Sequence, residues 1–262
     1  MTIRIAIAGA AGRMGAALAG AIALRTDVML CGANERPGSD AIGKEIAPGV
    51  TILADAAEAA RDADVWIDFS TPDATRAAIT ALANTKVRAA IVGTTGMKAD
   101  AEAVIADASR RLAIVQSGNF SLGVNVLAGL VRQAAARLGP DWDIEIVEAH
   151  HRRKVDAPSG TALMLGEAAA QGRGDKALSA LRLPAREGIT GSRPEGGIGF
   201  AVVRAGGIVG EHEVIFGTET ETLRLTHQAA DRSLFARGAV HAAVWAAAQK
   251  PGLYSMQDVL GL

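Results

Sequence analysis

Short, continuous and partly β-branched apolar runs at residues 3–8, 28–33, 65–69, 89–92 and 112–115 alternate with longer amphipathic or alanine-rich stretches at 12–24, 72–83 and 99–109. Runs of that length and composition suit strands buried on both faces of a parallel sheet. The longer stretches have helical length, and Thr71-Pro72 and residues 98–100 supply helix starts, since proline is tolerated at the first helical position. Strand alternating with helix predicts an α/β chain with a Rossmann-like doubly wound parallel sheet.

After Phe120 the pattern changes. Residues 123–138 read as a long amphipathic helix, 143–149 alternate as a strand does, and 159–170 read as another helix. Residues 171–199 are rich in Gly, Arg and Pro and read as a mobile excursion. Strands follow at 200–204, 209–216 and 222–228, joined by short turns, and an apolar helix at 233–248 is expected to pack back on the first domain. This predicts a second α+β domain with a mixed or antiparallel sheet.

Composition narrows the picture. With 262 residues the chain fits two domains at roughly 100–200 residues each. Lys+Arg 27 against Asp+Glu 28 gives a formal net charge of -1, so nothing global points to nucleic acid or an acidic membrane surface. No apolar run approaches the ~18 residues of a membrane span, and the opening segment lacks a signal-peptide pattern. The lone Cys31 excludes an internal disulfide and fits a reducing compartment, so a cytoplasmic location is expected.

Chemistry concentrates in two places. Gly9, Ala10, Ala11, Gly12, Arg13 and Met14, followed by Gly15, sit where the first strand turns into the first helix. Glycines there allow a tight turn and close approach of a pyrophosphate, and the helix start offers free N–H groups and a positive dipole end. The spacing is G-x-x-G-x-x-G, with Ala11 at the usual second glycine. Glu35, near the end of the second run, is placed to accept bonds from an adenosine ribose. A dinucleotide is expected, and it can be NADH or NADPH. Glu35 repels a 2′-phosphate, whereas Arg13 and Arg36 could hold one or could be solvated surface charges. Gly93, Thr94 and Thr95 follow one strand run, and Ser117, Gly118, Asn119 and Phe120 follow the next. Both turns fall beyond the carboxyl ends of strands, where open α/β sheets bind ligands, though either alone reads as an ordinary turn.

The second place is the segment from Glu148 to Thr161, where His150, His151, Arg152, Arg153 and Lys154 are consecutive. Metal binding is a poor fit, because adjacent residues in extended chain point to opposite sides and no acidic or Cys partners follow at ligand spacing. A nucleic-acid patch is equally poor in a neutral chain without aromatic interleaving. Ser159 is a good N-cap for the apolar stretch after it, and Gly160 leaves amides open to an anion. Cations beside an open helix start describe a pocket for a small polyanion. His212, His227 and His241 are expected to be structural.

The segments GAAGRMG at 9–15, IVGTTG at 91–96, SGNFSLGVNV from Ser117, EAHHRRKVDAPSGTA at 148–162 and IGFAVVRAGGIVGEH at 198–212 closely resemble the 4-hydroxy-tetrahydrodipicolinate reductase (dihydrodipicolinate reductase) family. The resemblance spans nearly the whole chain. It implies hydride transfer from NADH or NADPH to a cyclic imine dicarboxylate in lysine biosynthesis via diaminopimelate, with His150 and Lys154 as the catalytic acid/base pair. It also implies that His151, with Ser159 and the amides of Gly160 and Thr161, holds the substrate carboxylates, and that the protein is a homotetramer. The domains expected are 1–121, dinucleotide-binding and completed by 232–262, and 122–231, substrate-binding and oligomerisation. Ala11, Ser117-Gly118 and Arg153 depart from the family pattern without removing a group the chemistry needs. Another Rossmann-type dehydrogenase would explain residues 9–15 but not 148–161. A non-catalytic dinucleotide-sensing protein fits less well, because His150 and Lys154 are both present.

Overall fold

The computed structural model describes residues 2–174 and 176–262; Met1 and Asp175 lie outside them. The chain divides into two compact units, Met1–Leu122 with Ser233–Gly261, and Gly123–Arg232 with Leu262.

The first unit begins with β1 (Ile3–Ala8), α1 (Arg13–Ala23), β2 (Val28–Asn34), β3 (Glu45–Ala47), β4 (Val50–Leu53) and α2 (Ala56–Ala59). It continues through β5 (Val65–Asp68), α3 (Pro72–Ala81), β6 (Ala89–Val92), α4 (Ala99–Ala108) and β7 (Ala113–Gln116). The second unit comprises α5 (Leu122–Arg137), which starts at the boundary, then β8 (Asp143–His150), α6 (Gly160–Gly172), α7 (Leu178–Leu181), β9 (Ile198–Arg204), β10 (Glu211–Gly217) and β11 (Thr222–Gln228). The chain then returns to the first unit with α8 (Ser233–Ala246), β12 (Gly252–Tyr254) and α9 (Met256–Leu260).

In the first unit eight strands run in the order β12-β7-β6-β5-β1-β2-β4-β3, parallel except for the β3–β4 pair. The continuous apolar runs explain this arrangement. Every residue of β5 and of β6 is buried, which only a sheet covered on both faces permits. On one face Ile5, Ile7 and Ile67 pack with Leu18 and Ile22 of α1 and Ala239 and Val240 of α8. On the other, Trp66, Ala90 and Ile114 pack with Ile79 of α3 and Ile105 of α4. Each fully buried isoleucine contributes roughly 1.5–3 kcal/mol. An exposed rim ion pair such as Arg61–Glu58 contributes at most about 1 kcal/mol, so the core sets the architecture. Thr71 caps α3 through the Ala74 N–H, with Pro72 in its first turn.

The hairpin of β3 and β4, the short α2, and the β12–α9 terminus do not stand out from apolar periodicity. Three- to five-residue elements span too few positions for a period to register. Their local chemistry is plain in the structure: Asp55 caps α2, and Ser255 and Asp258 form a capping box on α9.

The second unit carries a four-stranded sheet, β11-β10-β8-β9. β10 is antiparallel to both of its neighbours, whereas β8 and β9 run parallel, so residues 151–197 form the crossover between them. Ile144, Ile146, Val214 and Phe216 of the sheet share a core with Leu127 and Val131 of α5 and Leu165 and Ala169 of α6. The described residues of the stretch 171–199 have more order than its Gly, Arg and Pro content suggests. α6 runs on to Gly172, α7 follows, and β9 begins at Ile198. Arg193 fastens the stretch to β8 through Asp143, Glu145 and the Ile144 carbonyl, while Arg186 also pairs with Glu145. Among the described residues no helix is long and apolar enough to cross a membrane.

Candidate active site

In the first unit, β1 delivers the chain into the turn at Gly9, whose φ of +62° is left-handed backbone that favours glycine. Gly12 N–H bonds the Gly9 carbonyl at 2.9 Å to close the turn. A Cβ at Gly15 would lie 2.4 Å from the Ala10 carbonyl oxygen, so that glycine lets α1 start flush against the turn. Gly12 at the helix start brings no side chain to cap it. The first-turn amides of Arg13, Met14 and Gly15 therefore fall where an anionic group is favoured. Glu35, just past β2, accepts from the Ala11 N–H and the Arg36 N–H, both at 3.1 Å. A cleft of about 370 Å³ lies alongside, lined by Gly9, Glu35, Arg36, Asp55, Ser70 and Ala74 among others. An open helix start, a turn with no side chain in the way and a carboxylate at the cleft edge fit a dinucleotide.

The later turns divide their residues. Thr94 is buried and its hydroxyl shares a 2.8 Å hydrogen bond with Thr75, while Thr95 is exposed. Beneath them Asp68 is fully buried; its Oδ1 accepts from the Ser70 amide and hydroxyl and from Thr94. Burial pushes that carboxyl up, against the pull of its hydroxyl partners. A Cβ at Gly93 would meet the Phe69 ring at 2.1 Å. Phe69 in turn packs edge-on to the buried Phe120, with ring centroids 5.3 Å apart. Ser117 Oγ donates to the Asn119 carbonyl, and Asn119 Oδ1 accepts from the Ser121 amide. Thus Thr94, Asn119 and Phe120 turn their side chains inward, while Thr95 and Gly118 lie open.

In the second unit the strand alternation of β8 buries Ile144, Ile146, Glu148 and His150. The last two are polar where the pattern asks for apolar residues. Glu148 is 1% exposed, and its carboxylate accepts four bonds: His150 Nδ1 at 2.5 Å, Ser159 N–H at 3.0 Å, and Arg204 Nη1 and Nη2 at 2.7 and 2.8 Å. Burial alone would raise this carboxyl, but Arg204, His150 and the Ser159 amide together hold it below the usual carboxylate range. Arg204 lies opposite His150 in the β8–β9 register and also donates to the Asp156 carbonyl at 2.7 Å. Ser159 caps α6 by accepting the Ala162 N–H, and its Oγ shares a 3.1 Å hydrogen bond with His212 Nε2. The His212 ring, 4% exposed, meets that of His150 edge-on at 5.1 Å. Burial, with His150 alongside, pushes the His212 imidazole down to about 4, so it is neutral near pH 7.

The remaining predicted residues lie around this cluster. His151 Nε2 and Arg232 share a 3.0 Å hydrogen bond, and desolvation with Arg232 and Arg153 nearby lowers the imidazole's pKa. Lys154 pairs with Asp156 at 2.9 Å and its N–H bonds the His151 carbonyl. Gly160 opens α6, and a Cβ there would meet nothing within 4 Å, so local packing does not require the glycine. Arg204 and His212 are the polar partners that reading the 148–161 segment alone overlooks. The available signal was period two: Glu148 and His150 continue the buried face of Ile144 and Ile146, and a buried carboxylate demands partners. Among the described residues no group of three or more His, Cys, Asp and Glu could hold a metal ion.

Residues 3–120 match the family described as dihydrodipicolinate reductase, N-terminus, and residues 123–260 match dihydrodipicolinate reductase, C-terminus. The chain belongs to the dihydrodipicolinate reductase family. The relative from Caulobacter vibrioides, a 4-hydroxy-tetrahydrodipicolinate reductase, is 54% identical over 260 residues, covering 99% of this chain and 97% of its own. The relative of the same name from Methylocella silvestris is 51% identical over 267 residues, with the same coverage. Among solved structures, the dipicolinate-bound dihydrodipicolinate reductase from Paenisporosarcina sp. TG-14 shares the fold at a TM-score of 0.80 and 23% identity, covering 98% of this chain and 99% of that one. An amine dehydrogenase from Mycobacterium smegmatis shares it at 0.65 and 15%, covering 98% and 95%. The fold therefore extends to other dehydrogenases, while family membership rests on the sequence matches.

Proposed function

We propose that this chain reduces 4-hydroxy-tetrahydrodipicolinate to tetrahydrodipicolinate with loss of water, using NADH or NADPH, in lysine biosynthesis via diaminopimelate. The observation that carries the reading is the 148–161 segment of a dihydrodipicolinate reductase, folded so that His150, the Lys154 loop and the α6 start hang on one buried carboxylate. In this reading Gly9, Ala10, Ala11, Gly12, Arg13, Met14, Glu35 and Arg36 hold the dinucleotide with the turns at Gly93–Thr95 and Ser117–Phe120, so residues 1–121 and 232–262 serve the cofactor. Residues 122–231 serve the substrate. When bound, the reduced nicotinamide supplies the hydride.

The chain's own residues do the rest. His151, Ser159 and the amides of Gly160 and Thr161 hold the two ring carboxylates, the helix start contributing its dipole and open N–H groups. His150 and Lys154 move protons, first as the 4-hydroxyl leaves as water and then as the reduced ring takes up the proton that completes it. The Lys154 ammonium also offsets the electron-rich character of the ring between those events. The Paenisporosarcina enzyme binds dipicolinate, a planar ring with two carboxylates, and that shape supports the same pocket here.

The test is direct. Purified protein should oxidise NADH or NADPH only when the condensation product of aspartate semialdehyde and pyruvate is supplied, and pyridine-2,6-dicarboxylate should compete with that product. Oxidation without the product, or none with it, rejects the reading. We further propose a cytoplasmic homotetramer assembled through the second unit. Val147 and Ala201, with Val203 and Ile215 close by in register, place apolar residues on the sheet face opposite its buried one. Sedimentation of the protein and of a Val203→Asp variant checks the assembly.

A further inference from the structure

A catalytic imidazole needs more than the right position. Its proton must sit on one chosen ring nitrogen, and that choice is made by the partner of the other nitrogen. Here the partner is Glu148, a side chain the reaction does not otherwise require.

Three observations converge on it. An ionised carboxylate only accepts hydrogen bonds, so the 2.5 Å contact to His150 Nδ1 obliges that nitrogen to carry the proton. Arg204 grips both oxygens of Glu148, in the two-pronged geometry that suits a guanidinium, and so holds the carboxylate plane. On the opposite side of the ring, a Cβ at Gly210 would come 3.2 Å from His150 Nε2, so the glycine keeps that nitrogen clear.

We propose that Glu148, clamped by Arg204, is a positioning residue: it fixes His150 with Nδ1 protonated and Nε2 as the proton-exchanging nitrogen, and ties the same imidazole to the substrate-gripping helix start. The inference rests on the reading of His150 as acid/base given above. The tie to the helix start runs through the second Glu148 oxygen, which accepts the Ser159 N–H at 3.0 Å. Arg204 extends it to the Lys154 loop by donating to the Asp156 carbonyl. One buried carboxylate thus sets the mutual geometry of the proton donor, the ammonium loop and the anion-binding amides. Placement errors of an ångström cost such sites about 100-fold in rate.

The experiment uses the intact protein with 15N-labelled histidine, the His150 resonances being assigned by comparison with His150→Gln. Wild-type His150, when neutral, should show Nδ1 protonated. In Glu148→Gln that preference should weaken and kcat should drop roughly 100-fold, with KM for NADH changing less than about two-fold. Arg204→Lys, which keeps a cation but loses the two-pronged grip, should give a smaller shift of the same kind, and it carries the test should Glu148→Gln not fold. Neutral wild-type His150 protonated at Nε2, or a fall in kcat with the tautomer unchanged in either variant, overturns the proposal. Full activity in His150→Gln would instead sink the acid/base reading, and the resonance data would still judge the orientation of the ring.

Discussion

The two candidate ligand-binding regions of this chain are built by opposite means. Around the 9–15 turn the polar groups are mainly backbone amides, and the side chains are there chiefly by omission, as at Gly9 and Gly15. Around 148–161 the polar groups are buried or half-buried side chains that satisfy each other: the Glu148 carboxylate, Arg204, His150 and, through Ser159, the neutral His212. A backbone site tolerates exchange of its side chains and fails when one is added. A site of mutually bonded charges fails when one is removed, because the partner is left buried without compensation.

Four measurements would break or sharpen that contrast. The largest effect is expected from His150→Gln or Lys154→Ala, which should cut kcat by about 10²–10⁴-fold while leaving NADH affinity by calorimetry intact. Unchanged turnover would remove them from the chemistry. Next is acid stability. An unfolded imidazole titrates near 6.5 and His212 near 4 when folded, so the unfolded chain takes the proton first as the pH falls. The associated stability is complete above about 6.5 and is lost towards 4, by about 3 kcal/mol. Glu148, held low in the fold, acts in the same direction in more acid solution. Urea unfolding across that range should show the slope, and His212→Asn should flatten it. Third, Gly15→Ala places a methyl against the Ala10 carbonyl and should cost about 1–3 kcal/mol in thermal unfolding, with weakened NADH binding. The smallest effect is expected from Glu35→Ala. Loss of the carboxylate beside Ala11 and Arg36 should raise the NADPH-to-NADH ratio of kcat/KM by about five- to ten-fold, roughly 1 kcal/mol. No change would mean that Glu35 takes no part in cofactor choice.

Much of this was legible in the chain. The runs at 3–8 and 89–92 coincide with β1 and β6, because continuous apolar stretches have one way to be buried, and the run at 222–228 coincides with β11, which stays largely exposed at the sheet edge. Ends drifted by a residue or two where alanine leaves a helix no reason to stop, as at α6, which continues to Gly172 before Arg173 and Gly174 close it. The polar cluster of the second unit was visible as a cluster, and Ser159 as a cap. Its support was not, since Arg204 lies 56 residues from Glu148 and His212 lies 53 from Ser159. The first contact is made across the β8–β9 pairing and the second where the α6 start meets β10, and no local pattern encodes such a partner. Thr94 and Asn119 teach a related point: their positions were foreseen, yet their side chains turn inward, a choice governed by neighbours such as Thr75 and Ser121.

The parallel pairing of β8 and β9 carries an implication for how such a protein can be rebuilt. A chain leaving β8 at His150 must travel back to the other end of the sheet before entering β9, and residues 151–197 make that journey. On the proposed function, the residues from His151 to Thr161 that hold the substrate ride on that single excursion, buckled at its base by the Arg204–Glu148 pair between the two flanking strands. Transplanting that excursion from one relative into another should carry its ring preference along, provided that the buckle and the Arg193 strap travel with it.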